Sequence, residues 1–124
     1  MATALKSVLV VDDDRDLREI LNDLFLAEGV GRCVVAASLE DVQALALESL
    51  GAQLAILDVN LGDGRPTGVD VLQWLRERGF SGSVVFLTGH AATDPRVLAA
   101  SRMSGTRVLS KPISIDALTQ LVHP

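Results

Sequence analysis

Five short apolar runs, separated by segments of helical periodicity, constrain the fold of this chain more than any other feature. Four of the runs are continuous rather than alternating, as expected of strands that are covered on both faces of a sheet. Each is far shorter than the ~20 residues that a membrane helix needs. The predicted strands are Val8–Val11, Cys33–Ala37, Leu54–Leu57, Val84–Leu87 and Thr106–Leu109.

The first two helices are predicted between the first three strands. One covers Leu17–Phe25 with apolar residues at helical spacing, and Gly29 ends it. The other begins after Ser38, in the manner of a capping box. Its inner face is predicted to carry Val42, Leu45 and Ala46.

The other three helices are predicted after the third, fourth and fifth strands. The third contains Val71–Leu75 and ends at Gly79. The fourth follows Thr93–Pro95, where a capping residue precedes a proline at the first helical position, and runs through Met103. Ser114 caps the short fifth helix. Strict alternation of strands and helices predicts a single three-layer α/β domain, with a parallel sheet between two layers of helices.

Composition narrows the class of protein. The chain has 124 residues, 48% of them hydrophobic and 22% charged, which fits one globular domain over residues 1–124. A net charge of −5 argues against direct nucleic-acid binding. The N-terminal residues lack the features of a secretory signal, and no membrane contact is expected. The single cysteine allows no internal disulfide, so we expect a reducing, cytoplasmic location.

Ligands of parallel sheets bind beyond the carboxyl ends of the strands, where this chain places acids, a hydroxyl and an amine. Asp12 and Asp13 follow the first strand, Asp58 the third, Thr88 the fourth and Lys111 the fifth. Carboxylates about 5 Å apart repel by about 3 kcal/mol at an effective dielectric near 20, so they favour a cation. Few protein ligands and access to water favour Mg²⁺. Such a site suits an aspartate that accepts a phosphoryl group.

At these residues the chain resembles a receiver domain of two-component response regulators. Four motifs carry the resemblance, each at a predicted strand end, and it covers nearly the whole chain. They are Val10-Val11-Asp12-Asp13, Leu57-Asp58-Val59-Asn60, Leu87-Thr88-Gly89 and Ser110-Lys111-Pro112.

The resemblance implies a flavodoxin-like fold with strand order 2-1-3-4-5 and five helices. It implies that Asp58 accepts a phosphoryl group from a partner histidine kinase or phosphotransfer protein. Lys111 would bind that group, and Thr88 would move toward it and report its presence. The resemblance also implies Mg²⁺ ligation by Asp13, Asp58 and the carbonyl of Asn60, with Asp12 acting through water. The chain would catalyse only its own phosphorylation and dephosphorylation. It would signal to a downstream protein as a monomer or weak homodimer.

Three features depart from the family pattern. The loop after Asp58 is about two residues longer than usual and lacks an early proline. Val108 stands where the family commonly has an aromatic residue, so the usual transmission of the signal is not expected. The last helix is short and no effector domain follows it, as in a regulator of one domain or a piece of a longer protein.

Other functions compete with phosphorylation. A pseudo-receiver, which keeps the fold as a protein-binding module without the chemistry, is favoured by Val108 and the altered loop. A phosphatase of the haloacid-dehalogenase type has its acidic motifs in another order, and a flavin binder would need aromatic residues at the strand ends. His90 is interpreted as a variable residue of the rim, with the hypothesis that it and Asn60 control the access of water to an acyl phosphate.

Overall fold

A computed structural model describes residues 3–124 of the chain. Five parallel strands form one sheet in the order β2-β1-β3-β4-β5, as expected. The predicted apolar runs lie in these strands, displaced by no more than one residue at either end. The strands are β1 (Ser7–Val11), β2 (Arg32–Ala36), β3 (Leu54–Asp58), β4 (Ser83–Thr88) and β5 (Thr106–Ser110).

Within residues 3–124 there are six helices, one more than the five predicted, and the last of them follows β5. Their caps at Ser38, Asp94 and Ser114 are those expected from the sequence. The fourth predicted helix ends at Ser101 instead of Met103. The helices are α1 (Arg15–Ala27), α2 (Leu39–Ala44), α3 (Ala46–Leu50), α4 (Gly68–Glu77), α5 (Pro95–Ser101) and α6 (Ile115–Val122).

The extra helix arises because the second predicted helix breaks at Leu45. The buried Ser49 hydroxyl donates a hydrogen bond of 3.1 Å to the carbonyl of Val42, which the Ala46 N–H would bind in a continuous helix. Leu45 has the non-helical angles φ −108° and ψ 41°. Its side chain is exposed, so its predicted place on the inner face was wrong.

Different helices cover the two faces of the sheet. On one face, β1 and β3 pack against α1 and α6 through residues such as Phe25 and Leu118. On the other, they pack against α2, α4 and α5 through Val42, Leu72 and Ala100. With both faces covered, all five residues of β3 are buried, which fixes the strand that ends in Asp58. Within residues 3–124, no helix is long and apolar enough to cross a membrane.

Candidate functional site

The carboxyl ends of β1, β3 and β5 bring two buried acids and one amine together. The Lys111 ammonium lies 2.9 Å from an Asp12 carboxylate oxygen and 3.1 Å from one of Asp58. Only 1% of Asp12 and 6% of Asp58 is exposed to solvent. These residues are separated by up to 99 positions along the chain, so the topology predicted from the sequence is what unites them.

Backbone hydrogen bonds set the position of each of these residues. The N–H of Asp12, directly after β1, donates to the Ala36 carbonyl at 3.0 Å. Asp58 is the last residue of β3 and pairs with Leu87 of β4. The Lys111 N–H donates to the Thr88 carbonyl at 2.8 Å. The Lys111–Pro112 peptide bond is cis.

Each buried carboxylate also accepts a hydrogen bond from a nearby backbone amide. The Asp14 N–H lies 2.9 Å from Asp12 Oδ1, and the Asn60 N–H lies 3.2 Å from Asp58 Oδ1. Together with Lys111, these bonds give both oxygens of each acid a donor. Asp14 itself caps α1 through its side chain, the role that an aspartate commonly has at this position.

Asp13 completes an acidic group that is open to water. Oxygens of Asp12, Asp13 and Asp58 all lie within 4.8 Å of one another, and Asp13 is exposed. Two oxygens bound to one small divalent cation at 2.0–2.1 Å are at most about 4.2 Å apart, so modest side-chain movement suffices. A donor set made only of oxygens can hold a hard cation of this kind.

The surroundings of Asp58 and Lys111 shift the pKa values of both side chains. The pKa of Asp58 is raised to about 6, because burial and then the negative charge of Asp12 outweigh the opposing effects of Lys111 and of the Asn60 N–H. Burial alone would lower the pKa of Lys111, but its hydrogen bond to Asp12 and the charges of both acids outweigh burial and raise it. At neutral pH Asp58 is therefore mostly ionised and Lys111 is charged.

Thr88, Asn60 and His90 lie at the same edge of the sheet as Lys111 and contact one another. Thr88 ends β4 and is buried, and its hydroxyl accepts a hydrogen bond of 3.0 Å from the His90 N–H. The Asn60 side-chain nitrogen lies 3.2 Å from His90 Nε2. All six site residues predicted from the sequence therefore lie on one rim, and His90 joins them through both Thr88 and Asn60.

Two further residues support the site without having been predicted. The Arg18 guanidinium donates a hydrogen bond of 2.8 Å to the Asp12 carbonyl. Gly68 is buried so closely beneath β3 that a Cβ there would overlap the Asp58 carbonyl oxygen. Arg18 has no signal beyond its place in the first turns of a helix, whereas a glycine just inside a predicted helix is a weak indication of close backbone approach.

The face formed by α5 and β5 is less tightly packed than the site of the buried acids. Val108 is only half-buried and faces a pocket of about 380 Å³ between α5 and β5. The lining includes Thr88, Val97 and Ser110, so the pocket begins at the rim of the site. A valine leaves space there that a larger side chain would fill.

The family model of the response regulator receiver domain matches residues 8–123. This chain belongs to that family. Receiver domains are signalling modules of two-component systems rather than turnover enzymes, and their fold is the flavodoxin-like one described above. The resemblance read from the four strand-end motifs is thereby confirmed.

Relatives and solved structures agree with this assignment. The chain is 32% identical to the photosynthetic apparatus regulatory protein RegA of Rhodobacter capsulatus over 114 residues, which are 92% of this chain and 59% of RegA. It is 35% identical to the response regulator FleR of Pseudomonas aeruginosa over 115 residues, 93% of this chain and 23% of FleR. The chain thus spans only part of the length of these relatives.

Among solved structures, the beryllofluoride-activated NtrC4 receiver domain dimer superimposes with a TM-score of 0.76. The two sequences are 27% identical, and the match covers 95% of this chain and 93% of that one. A match over nearly all of both chains indicates that the two share one receiver domain architecture.

Proposed function

We propose that Asp58 is the phosphoacceptor of this receiver domain and that the whole chain, residues 1–124, forms one such domain. The observation that carries the proposal is the contact of one ammonium, that of Lys111, with both buried carboxylates. An ionised carboxylate beside a fixed positive charge suits attack on a phosphorus atom whose oxygens gain negative charge.

The proposed donor is a phosphohistidine on a histidine kinase or phosphotransfer protein. An Asp58 carboxylate oxygen attacks the phosphorus atom, and an O–P bond forms while the P–N bond to the imidazole breaks. The electron pair of the P–N bond returns to the imidazole nitrogen. The product is an acyl phosphate on Asp58, which water later hydrolyses to free phosphate and the original carboxylate.

Lys111 and Thr88 receive the transferred group. The Lys111 ammonium can exchange one of its two carboxylate partners for a phosphoryl oxygen without leaving the pocket. Thr88 ends the neighbouring strand, and its hydroxyl can donate to a second phosphoryl oxygen. Movement of Thr88 toward that oxygen would report phosphorylation to the α5–β5 face.

The cation proposed for the acidic group is Mg²⁺. Asp13 and Asp58 would bind it directly with the carbonyl of Asn60, and Asp12 would bind through water. When bound, Mg²⁺ supplies positive charge that offsets the repulsion between the carboxylates and an incoming phosphoryl group. The three acids and the exposed position of Asp13 support this assignment.

We further propose that the phosphorylated form acts by contact with a downstream protein, as a monomer or weak homodimer in the cytoplasm. A dimer of the related NtrC4 receiver domain supports the homodimer. The pseudo-receiver alternative is not favoured, and the presence of the three acids, Thr88 and Lys111 at one edge of the sheet supports the phosphoacceptor instead.

Intact-mass spectrometry tests the proposal with a small phosphodonor such as acetyl phosphate. The wild-type protein is expected to gain about 80 Da, the mass of one phosphoryl group, in the presence of Mg²⁺ and not in excess chelator. Asp58→Asn is expected to gain nothing. A wild-type protein that gains no mass and binds no Mg²⁺ would contradict the proposal and favour the pseudo-receiver.

A further inference from the structure

The three acids of the site differ in how their carboxylates are held. Those of Asp12 and Asp58 each accept hydrogen bonds from a backbone amide and from Lys111. Among residues 3–124, no side chain or backbone amide holds the carboxylate of Asp13 in this way. The position of Asp13 therefore depends on its backbone.

Arg18 fixes the backbone that carries Asp13. Its guanidinium donates a hydrogen bond of 2.8 Å to the carbonyl oxygen of Asp12. That oxygen belongs to the planar peptide group that joins Asp12 to Asp13, so holding it also holds the N and Cα of Asp13. A bond from a charged donor is stronger than one between neutral groups.

The position of Arg18 in α1 allows its side chain to reach the Asp12 carbonyl. Arg18 lies in the first turn of α1, where its own N–H donates to the Asp14 carbonyl at 3.0 Å. Side chains of a helix tilt toward its N-terminus, so the guanidinium points back toward the residues that follow β1. Arg18 is half-buried there, whereas Arg15 in the same turn is exposed and pairs with Glu19.

We propose that Arg18 is a positioning residue that sets the Asp13 carboxylate for cation binding. The inference rests on the proposed Mg²⁺-dependent function and extends it to a residue outside the ligand set. Loss of residues that orient metal ligands commonly costs about 10- to 100-fold in affinity. We expect the loss of the Arg18 donor to weaken Mg²⁺ binding about tenfold, at the lower end of this range.

Calorimetric titration with Mg²⁺ of the whole chain tests this role. Arg18→Met removes the donor but keeps an unbranched side chain that packs in place of the arginine stem. Arg15→Met is the matched control, because it removes the same charge from the same helical turn without touching Asp12. Arg18→Lys restores a charged donor and is expected to bind Mg²⁺ more nearly as the wild type does.

The outcomes separate this inference from the proposed function. An Arg18→Met protein that binds Mg²⁺ as tightly as Arg15→Met would overturn the role of Arg18. An Arg18→Lys protein no better than Arg18→Met would do the same. A wild-type protein that binds no Mg²⁺ would instead contradict the proposed function. Circular dichroism checks the fold, and Arg18→Leu, which also has no donor, replaces Arg18→Met with the same expected results if Arg18→Met does not fold.

Discussion

The acidic pocket, formed by Asp12, Asp13, Asp58 and Lys111, lies beside the α5–β5 face but is built differently. In the pocket, both oxygens of Asp12 and of Asp58 have donors, and strands β1 and β3 beneath them are almost wholly buried. On the α5–β5 face, no residue of β5 is fully buried, and a separate cavity of about 380 Å³ opens beside Val108.

We expect this difference to separate the proposed chemistry of the domain from its output. The residues proposed to take part in phosphorylation lie at the acidic pocket, whereas the neighbouring face lacks the aromatic residue that commonly turns inward in the family. Phosphorylation and signal transmission are therefore expected to rest mainly on different parts of the molecule, with Thr88 at their border. Substitutions in the two regions should have effects of different kinds, which makes the comparison testable.

The largest effect is expected from Lys111→Met, which should slow phosphorylation. Without the ammonium, Asp12 and Asp58 lose the positive charge that they share, and the transferred group would lose the fixed positive charge proposed to bind it. Loss of one such electrostatic contact typically slows a reaction about 100- to 1,000-fold. Rates of mass gain with a small phosphodonor provide the measurement. Lys6→Met is the control, since Lys6 is exposed and is the only other lysine. Equal rates in both variants would contradict the role of Lys111.

The pH dependence of stability should reveal the strain in the pocket. The pKa of Asp58 is raised from 3.8 to about 6, so the folded protein binds this proton more tightly than the unfolded chain does. The contribution of Asp58 to stability is therefore greatest below pH 4 and decreases as the pH rises through 6. In metal-free buffer, Asp58→Asn should be more stable than wild type above pH 6, by on the order of 1–3 kcal/mol.

Denaturant unfolding of both proteins from pH 4 to pH 8 measures this difference. Other carboxylates titrate in both proteins, so the difference between the two curves isolates Asp58. A difference that does not change with pH would show that the carboxyl is not strained by burial and by Asp12.

A smaller effect, on the stability of the fold, is expected from a substitution on the α5–β5 face. Val108→Phe should fill part of the pocket beside Thr88 and stabilise the fold by about 0.5–2 kcal/mol, as cavity-filling substitutions do. The rate of phosphorylation should stay that of the wild type. Val35→Phe enlarges a valine that is 36% exposed on the edge strand β2, so it serves as control and should bring no such gain. A large loss of stability in Val108→Phe would show that this face is already well packed.

The smallest effect is expected from His90→Ala, which should change the lifetime of the acyl phosphate. The contacts of His90 with Asn60 and Thr88 place its ring over the rim of the pocket. Its removal should admit water and shorten the lifetime of the acyl phosphate severalfold. His123, the other histidine, contacts Glu28 and makes no contact with these rim residues, so His123→Ala is the control. Equal rates of dephosphorylation in wild type and His90→Ala would reject the hypothesis.

Sequence patterns predicted the strands and the shared location of the residues at their ends, because both follow from simple rules. Continuous apolar runs identified buried strands, and parallel topology then required the residues after them, such as Asp12, Asp58 and Lys111, to share one edge. The contacts themselves span up to 99 positions, so only the fold class made them predictable.

Features that depend on a single tertiary contact were not predictable. The break at Leu45 needs the hydroxyl of Ser49 to find the carbonyl of Val42, and the spacing of apolar residues does not encode this bond. The same holds for Arg18, whose contact with the Asp12 carbonyl depends on the path of α1 after β1. Val108 was identified as unusual, but the size of the pocket beside it emerged only from the packing of α5 on β5.

Among the three neighbouring acids, Asp58 is the one that we propose to carry the phosphoryl group. Borohydride reduction of the phosphorylated protein converts only the acyl phosphate to an alcohol, and peptide mass spectrometry then locates the reduced residue. We predict reduction at Asp58 alone, dependent on Mg²⁺ during labelling. Reduction at Asp12 or Asp13 instead, or at no residue of a protein that has gained the phosphoryl mass, would contradict this account.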